Sequence, residues 1–505
     1  MQEEQFDVVI VGAGLGGLLT GVILAKEGLK VCILEKNRQI GGCLQTFAFQ
    51  KKVFDSSVHY IGGLSQGHSL HKIFQYAGIM DDLPLQHLDA NGFDEILFAD
   101  DPNVYPIARR DHFVDALLPF FPNEKQALLD YLDLIDQVTG EFPLYRLSAG
   151  APDGKGKVIG LELIQTLRSI TQDEKLIQVL AGNNLLYAGV EGHTPFFVHA
   201  LSMDSYLHSA AKVLPGSSQI SKLLWKQMQQ NRGIIHRNTE VVSLVLKEGL
   251  ISHALSTDGR SFYAKHFIGA IHPLIIAALC ADKAFRPLAR ERIQSLQSSP
   301  SAIMLNLVLK PGTVIYPHRN RYWHPSGVVM AKQDNAEDIE WPDTMALFYT
   351  EDPAHPGYSE SLSILLYAEC KEFETWSGTT NVLGTANPRN PEYVSRKKEI
   401  TAQLLQKVFR RFPELQGQIL GNCMATPLSY RDYTANPEGT MYGALKDAHF
   451  PAQAQLSPRT RIPNLLLTGQ HVNLHGVVGV SMTALATCGA LLGLDNLLAK
   501  IRDAN

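Results

Sequence analysis

The chain has 505 residues, 45% of them hydrophobic and 19% charged, with 45 basic against 50 acidic side chains and a net charge of −5. That balance excludes a disordered chain, and with no basic stripe it excludes a general nucleic-acid binder. Six scattered cysteines (Cys32, Cys43, Cys280, Cys370, Cys423 and Cys488), without a CxxC or CxxH pair, exclude a disulfide framework and a zinc cluster and fit a reducing compartment.

Residues 6–11 are a β-branched run of strand length, and Gly12, Ala13, Gly14, Leu15, Gly16 and Gly17 follow at once. This is a dinucleotide fingerprint. Gly12 permits a tight turn, Gly14 lets backbone approach a pyrophosphate, and Gly17 lets the helix pack close to the strand. The helix is predicted to end at Glu27 with Gly28 as its stop. Residues 30–34 then form a second strand, closed by Glu35 about 20 residues past the fingerprint, where a carboxylate accepts bonds from both ribose hydroxyls. The uncharged run 8–25 follows Glu3, Glu4 and Asp7 and holds five glycines. It therefore reads as buried strand, turn and helix, not as a signal peptide or a membrane span. Ile40, Gly41, Gly42 and Cys43 offer a second place where backbone can approach phosphate or ribityl oxygens.

Further along, residues 111–139 and 158–210 show helical periodicity, with capping candidates at Asp111 and Thr194 and with Pro195 as a first helical residue. The stretch 148–156 between them is a loop, and a further helix is expected over 219–230. Residues 238–271 read as a small meander, with strands at 240–246, 250–256, 262–264 and 266–271. Strands of a second sheet are expected at 301–310, 344–351 and 361–370, with a turn at 352–357. Finally, 465–468 is a strand followed by Gly469 and Gln470, and Gly476 and Gly479 open a helix. A helix N-terminus offers free N–H groups to an anion or to flavin oxygens. The run 476–494 is long enough to cross a bilayer, but it follows a strand and carries Ser481, Thr483 and Thr487, so a buried helix is expected.

These stretches resemble a known family. GGCLQTF at 41–47, FDSSVHYIGG at 54–63, FFVHALSMDSYL at 196–207, TPLSYRDYTANPEGTMYGA at 426–444 and NLLLTGQHVNLHGVVG at 464–479 are similar to the FAD-dependent carotenoid desaturase and isomerase superfamily, most of all to its all-trans-retinol saturase (13,14-reductase) branch. Cys43 stands where amine-oxidase relatives carry arginine, although the saturase branch also has cysteine there. Pro215 stands where relatives tend to show a glycine.

The resemblance implies an α/β protein: a Rossmann-like FAD-binding domain (1–95, 205–285 and 425–505) interleaved with an α+β substrate domain (96–204 and 286–424) that contains a mainly antiparallel sheet. Expected cofactor contacts are Gly12, Ala13, Gly14, Gly16, Gly17, Glu35 and Lys36 at one end of the cleft. Gly41, Gly42, Cys43 and Val241 follow, with Gly469, Gln470, Val478 and Gly479 at the other end. A flavin moves hydride at its N5 while the protein supplies orientation, so an alkene substrate calls for an apolar tunnel. His59 is the candidate acid near the ring, because an imidazole at its ordinary pKa protonates the carbon opposite the hydride. Asp55 is read as fixing its loop. His471 and His475 are not expected to hold a metal, since Gly476 argues against a helix there.

Three classes of function remain: a flavoenzyme acting on a carbon–carbon bond of a polyene or isoprenoid by reduction, desaturation or isomerisation; an amine-oxidase-type flavoenzyme; and a non-enzymatic isoprenoid carrier. The intact fingerprint and Glu35 argue against the carrier. No second GxGxxG unit follows a strand. Electrons are therefore expected from NAD(P)H visiting the same cleft, or exchanged with a quinone or a separate reductase. The expected setting is the cytoplasm, with peripheral membrane contact through an aromatic lip at 113–121, FVDALLPFF.

Overall fold

The computed structural model describes residues 5–148, 150, 156–280, 287–325, 330, 344–381 and 387–504. Strand β1 (Gln5–Val11), helix α1 (Leu15–Lys26) and strand β2 (Val31–Leu34) open the chain. β1 lies parallel to both β2 and Ser261–Gly269, and the sheet continues antiparallel through Leu250–Ser256 and Val241–Lys247. Ile234–His236 flanks β2, and Leu465–Leu467 runs parallel beside Ser261–Gly269. All four residues of β2 are buried, as a parallel strand covered on both faces requires. α1 is apolar all round because it is covered all round. Residues 15–25 are all buried, and Cys488 of helix Gly476–Leu492 reaches the Thr20 carbonyl. The C-terminal apolar run is thus this 17-residue helix. Among the described residues no helix is long and apolar enough to cross a membrane.

The meander differs from expectation in one place. The two strands expected at 262–264 and 266–271 are one, Ser261–Gly269, which ends two residues short of the expected bound and pairs with Leu250–Ser256 on one edge and with β1 on the other. Lys265 interrupts the apolar pattern but not the strand, because its ammonium reaches out to Asp7 at 2.8 Å.

The second sheet has the order Ile419–Ala425, Ser301–Leu309, Ser359–Ala368, Met345–Glu351, Asn320–His324, Asp94–Phe98, Asp101–Ile107. All its pairings are antiparallel except that of Asn320–His324 with Asp94–Phe98. Helix Pro391–Arg411 covers one face, its Ile400, Leu404 and Val408 sharing a core with Leu305, Leu307 and Ile364. The two sheets therefore draw their strands from alternating parts of the chain.

The helical stretches correct three expectations. Residues 158–210 break into short pieces, because Asp173 accepts hydrogen bonds from the N–H groups of Lys175 and Leu176 and starts a new helix, Glu174–Leu180. Pro195 precedes helix Phe196–His208 instead of opening it, and Thr194 spends its hydroxyl on Val190. His112, not Asp111, precedes Phe113–Leu117. The lip expected at 113–121 packs on the core through Phe113 and Leu117, both fully buried, and Phe121, 4% exposed; Phe120 is half-buried against Tyr105, and Phe113 stacks on Tyr131 of helix Lys125–Gly140. Most of the loop expected at 148–156 lies outside the described residues.

Candidate active site

The three fingerprint glycines are required for three different reasons. Gly12 has φ +104°, a turn conformation L side chains rarely adopt, and a Cβ there would lie 2.6 Å from the Ile271 side chain. A Cβ on Gly17 would sit 2.1 Å from the Gly12 carbonyl oxygen, so only glycine lets α1 close onto the turn. A Cβ on Gly14 would meet no protein atom within 4 Å. It would stand in a cavity of about 270 Å³ that Gly14 itself lines. Space for a ligand, not for protein, is what Gly14 preserves.

Glu35 closes β2 at the same cavity. It is 7% exposed, and its carboxylate accepts the Ala13 N–H and the Asn37 N–H, each at 2.8 Å. Burial pushes its pKa up, and the two backbone donors partly offset this. A carboxylate offers about four acceptor sites, so two remain for a diol. The Gly41 N–H donates to the Ala13 carbonyl at 2.8 Å, which ties the second glycine pair to the first. A Cβ on Gly16 would lie 3.0 Å from Gly469, where the last strand meets the fingerprint. The cavity wall thus includes Gly12, Gly14, Gly16, Glu35, Lys36, Gly41, Gly42, Cys43, Val241, Gly469 and Gln470. Ala13 and Gly17 lie behind that wall. Burial pushes the Cys43 thiol up, so it is a thiol and not a nucleophilic thiolate. The cavity's shape and donors fit a dinucleotide, with backbone N–H groups at the start of α1 for its pyrophosphate.

A second chamber of about 110 Å³ adjoins the first, and Ser57, Val58, Tyr442, Gly476 and Val477 line both. Val478 and Gly479 belong to this chamber's wall and not to the dinucleotide cavity's. The chamber is mainly apolar, with Leu185, Val198, Leu201, Phe348 and Leu365 facing it, and among the described residues no carboxylate-bearing side chain lines it. His59 lines it too, stacked on Phe348 with ring centroids 4.4 Å apart and planes 6° from parallel. Burial, helped by the nearby Lys212 ammonium, lowers the His59 pKa to about 3. An imidazole near its ordinary pKa was expected; the site holds it neutral. Burial also lowers His475, at the start of helix Gly476–Leu492, to about 3.

Behind the chamber lies a polar network that carries no sequence motif. The Tyr60 hydroxyl donates to Asp94 at 2.7 Å and meets the Tyr322 hydroxyl at 2.7 Å, while Asn183 and Asn320 also donate to Asp94. Burial raises Asp94 to about 7 despite these donors. Asp55 is pushed to about 6 by burial, and it accepts both the N–H and the hydroxyl of Ser217. It therefore joins its loop to helix Ser218–Gln230. One available signal for Asp94 was the acid pair Asp94 and Glu95 opening a strand that is apolar from Ile96 to Phe98. Phe348 gave none, since it is one aromatic in an ordinary alternating strand. A third cavity of about 380 Å³ lies beyond Gly42 and Ser57, near Met304, Lys397 and Tyr433.

Comparison with known proteins agrees with this geometry. Residues 10–77 match a family model described as an NAD(P)-binding Rossmann-like domain. The chain is 26% identical to the human all-trans-retinol 13,14-reductase, over 99% of this chain and 88% of that protein. It is 21% identical to the chloroplastic prolycopene isomerase of Arabidopsis thaliana, over 88% of this chain and 75% of that one. A solved putrescine oxidase variant superposes with a TM-score of 0.64 at 15% identity, covering 97% of this chain and 99% of that one, which shows the fold. The chain is an oxidoreductase homologous to the all-trans-retinol 13,14-reductases and, more distantly, to the prolycopene isomerases.

Proposed function

We propose that the chain is an FAD-dependent oxidoreductase that reduces a carbon–carbon double bond of a lipophilic polyene or isoprenoid. The observation that carries this reading is the junction at Ser57, Val58, Tyr442, Gly476 and Val477, where an apolar chamber opens onto the dinucleotide cavity. In this reading the start of α1 and Gly14 hold the pyrophosphate, Glu35 holds a ribose, and Lys36 and Val241 flank the adenosine. Gly41, Gly42, Cys43, Gly469 and Gln470 enclose the middle of the cofactor, and Val478 and Gly479 bring a helix N-terminus to the flavin end. Bound there, FAD supplies hydride transfer at its N5.

The chamber's apolar side chains exclude water and hold the alkene. His59, neutral near pH 7, does not act as an imidazolium acid and offers the chamber an N–H donor without charge. NAD(P)H using the same cleft, or a quinol, supplies the electrons. A lipid-borne substrate also calls for peripheral membrane contact at a cytoplasmic face, through a surface other than 113–121. A second reading, carotenoid isomerisation or desaturation, is favoured by the similarity to the prolycopene isomerase. Amine oxidation is not favoured, because among the described residues no carboxylate lines the chamber to receive an ammonium. Mass spectrometry separates the readings. Reduced, flavin-loaded protein incubated with all-trans-retinol should give a product two hydrogens heavier; an unchanged mass with altered geometry indicates isomerisation, and a loss of two hydrogens indicates desaturation.

A further inference from the structure

Buried polar atoms in folded proteins nearly always have hydrogen-bond partners, and leaving one without a partner costs free energy. Most hydroxyls around the apolar chamber obey this rule. Tyr60 donates to Asp94, Tyr145 to Asp204, Ser205 to the Ser202 carbonyl, Tyr206 to the Tyr60 carbonyl and Tyr442 to the Leu185 carbonyl. Two imidazoles in the same wall break it: His59 Nε2 and His475 Nδ1 are buried without a partner among the described residues. Both residues are nevertheless only half-buried, and both line the chamber. A half-turn about Cβ–Cγ exchanges the two edges of an imidazole and carries a nitrogen toward the chamber.

The rings are held in place by aromatic neighbours, His59 by Phe348 and His475 by Tyr442 at 4.8 Å. Neither ring is therefore poised to swing out toward solvent in search of a partner. Both are neutral at pH 7, so each offers one N–H donor and one acceptor nitrogen and no charge. With no carboxylate among the described residues of the wall, an ammonium finds no counter-charge there, and neutral imidazoles offer none to a carboxylate.

We propose that His59 and His475 recognise a neutral oxygen function, a hydroxyl or carbonyl, on the polyene that occupies this chamber. The two imidazoles are then specificity-determining groups, and the site prefers an oxygenated polyene to the hydrocarbon of the same length. The inference rests on the proposed function, which supplies the polyene, and deepens it by naming the polar group the chamber reads.

Binding to the flavin-loaded, oxidised protein tests it without turnover. The probes are all-trans-retinol and the hydrocarbon that carries hydrogen in place of its hydroxyl, with affinity read from quenching of protein fluorescence. Wild-type protein should prefer retinol by on the order of ten-fold or more, the scale of one or two neutral hydrogen bonds. His59→Phe and His475→Phe keep ring volume and stacking. Each should narrow the preference, and the double variant should erase it while hydrocarbon affinity stays within about two-fold. His59→Gln and His475→Gln retain a polar group and should restore part of the preference; they also serve if a phenylalanine variant fails to fold. Equal wild-type affinity for the two probes overturns the inference, as does a preference that survives in the double variant. If neither probe binds, the polyene reading itself falls and takes this inference with it.

Discussion

Gly14→Val separates ligand space from protein packing. Gly14 is the N-cap of α1 with φ −72° and ψ 178°, extended backbone that any residue adopts. A Cβ there meets no protein atom within 4 Å. The variant should therefore fold, at a cost of about 1 kcal/mol for losing glycine at an N-cap. At roughly 2 cal/mol/K of unfolding entropy per residue, that is about 1 °C in Tm for a chain of this length. The branched side chain instead fills space reserved for the pyrophosphate. Overlap strain of about 1–3 kcal/mol weakens FAD binding by on the order of 10–10²-fold. Excess FAD at about 100 times Kd stabilises wild-type apoprotein by about 2.7 kcal/mol, a rise of about 2–3 °C. In Gly14→Val that rise should shrink or vanish. Gly17→Val is the contrasting control: its Cβ falls 2.1 Å from the Gly12 carbonyl oxygen, so the apoprotein itself should be badly destabilised. Differential scanning fluorimetry with and without FAD reads all three proteins. A Gly14→Val protein that keeps the full FAD-induced rise would refute the assignment of this cavity, as would one that unfolds like Gly17→Val.

Acid should destabilise the protein steeply. Burial lowers the pKa of His59, His199, His272, His324, His471 and His475, so each takes up a proton on unfolding below about pH 6.5. The raised pKa values of Asp55, Asp94, Glu35 and Glu372 act in the opposite sense, and the six imidazoles outnumber these four carboxylates. Near pH 5 unfolding therefore takes up a net few protons, each worth about 1.4 kcal/mol of stability per pH unit, and a Tm unchanged between pH 7 and 5 would contradict the burial of these imidazoles. Flavin should come off in acid without a covalent adduct, since Cys43 is kept as a thiol, and Cys43→Ser should bind FAD as wild type does; flavin retained on the denatured polypeptide would refute this. Phe121→Ser should cost about 3–5 kcal/mol of stability, because the ring is core. A protein of unchanged stability with weakened liposome binding would restore the lip.

Local signals made the dinucleotide half of the fold legible. The order of strand, glycines, helix, strand and acid over 6–35 is set by backbone contacts within one unit, and the structure follows it almost residue for residue. The second sheet was legible only where strands are long and apolar, as in Ser301–Leu309 and Ser359–Ala368. Asn320–His324 and Ile419–Ala425 are short or polar and become strands by pairing with distant partners, which no local pattern reveals. The lip failed for a related reason. An aromatic helix looks the same in sequence whether its partner is a membrane or Tyr131. His59 was found from its segment, but its protonation was misjudged, because desolvation by Phe348 and the field of Lys212 come from residues far away in the chain.

The central claim is that the cavity beside β1 and the apolar chamber next to it form one redox site for a polyene. Anaerobic stopped-flow mixing tests this most directly. Protein loaded with FAD and reduced beforehand is mixed with all-trans-retinol, and flavin absorbance is followed. The account predicts reoxidation whose rate saturates with polyene concentration, with one reduced product formed per flavin oxidised. Flavin that stays reduced in the presence of retinol and related polyenes, while oxygen or a simple quinone reoxidises it, would contradict the account.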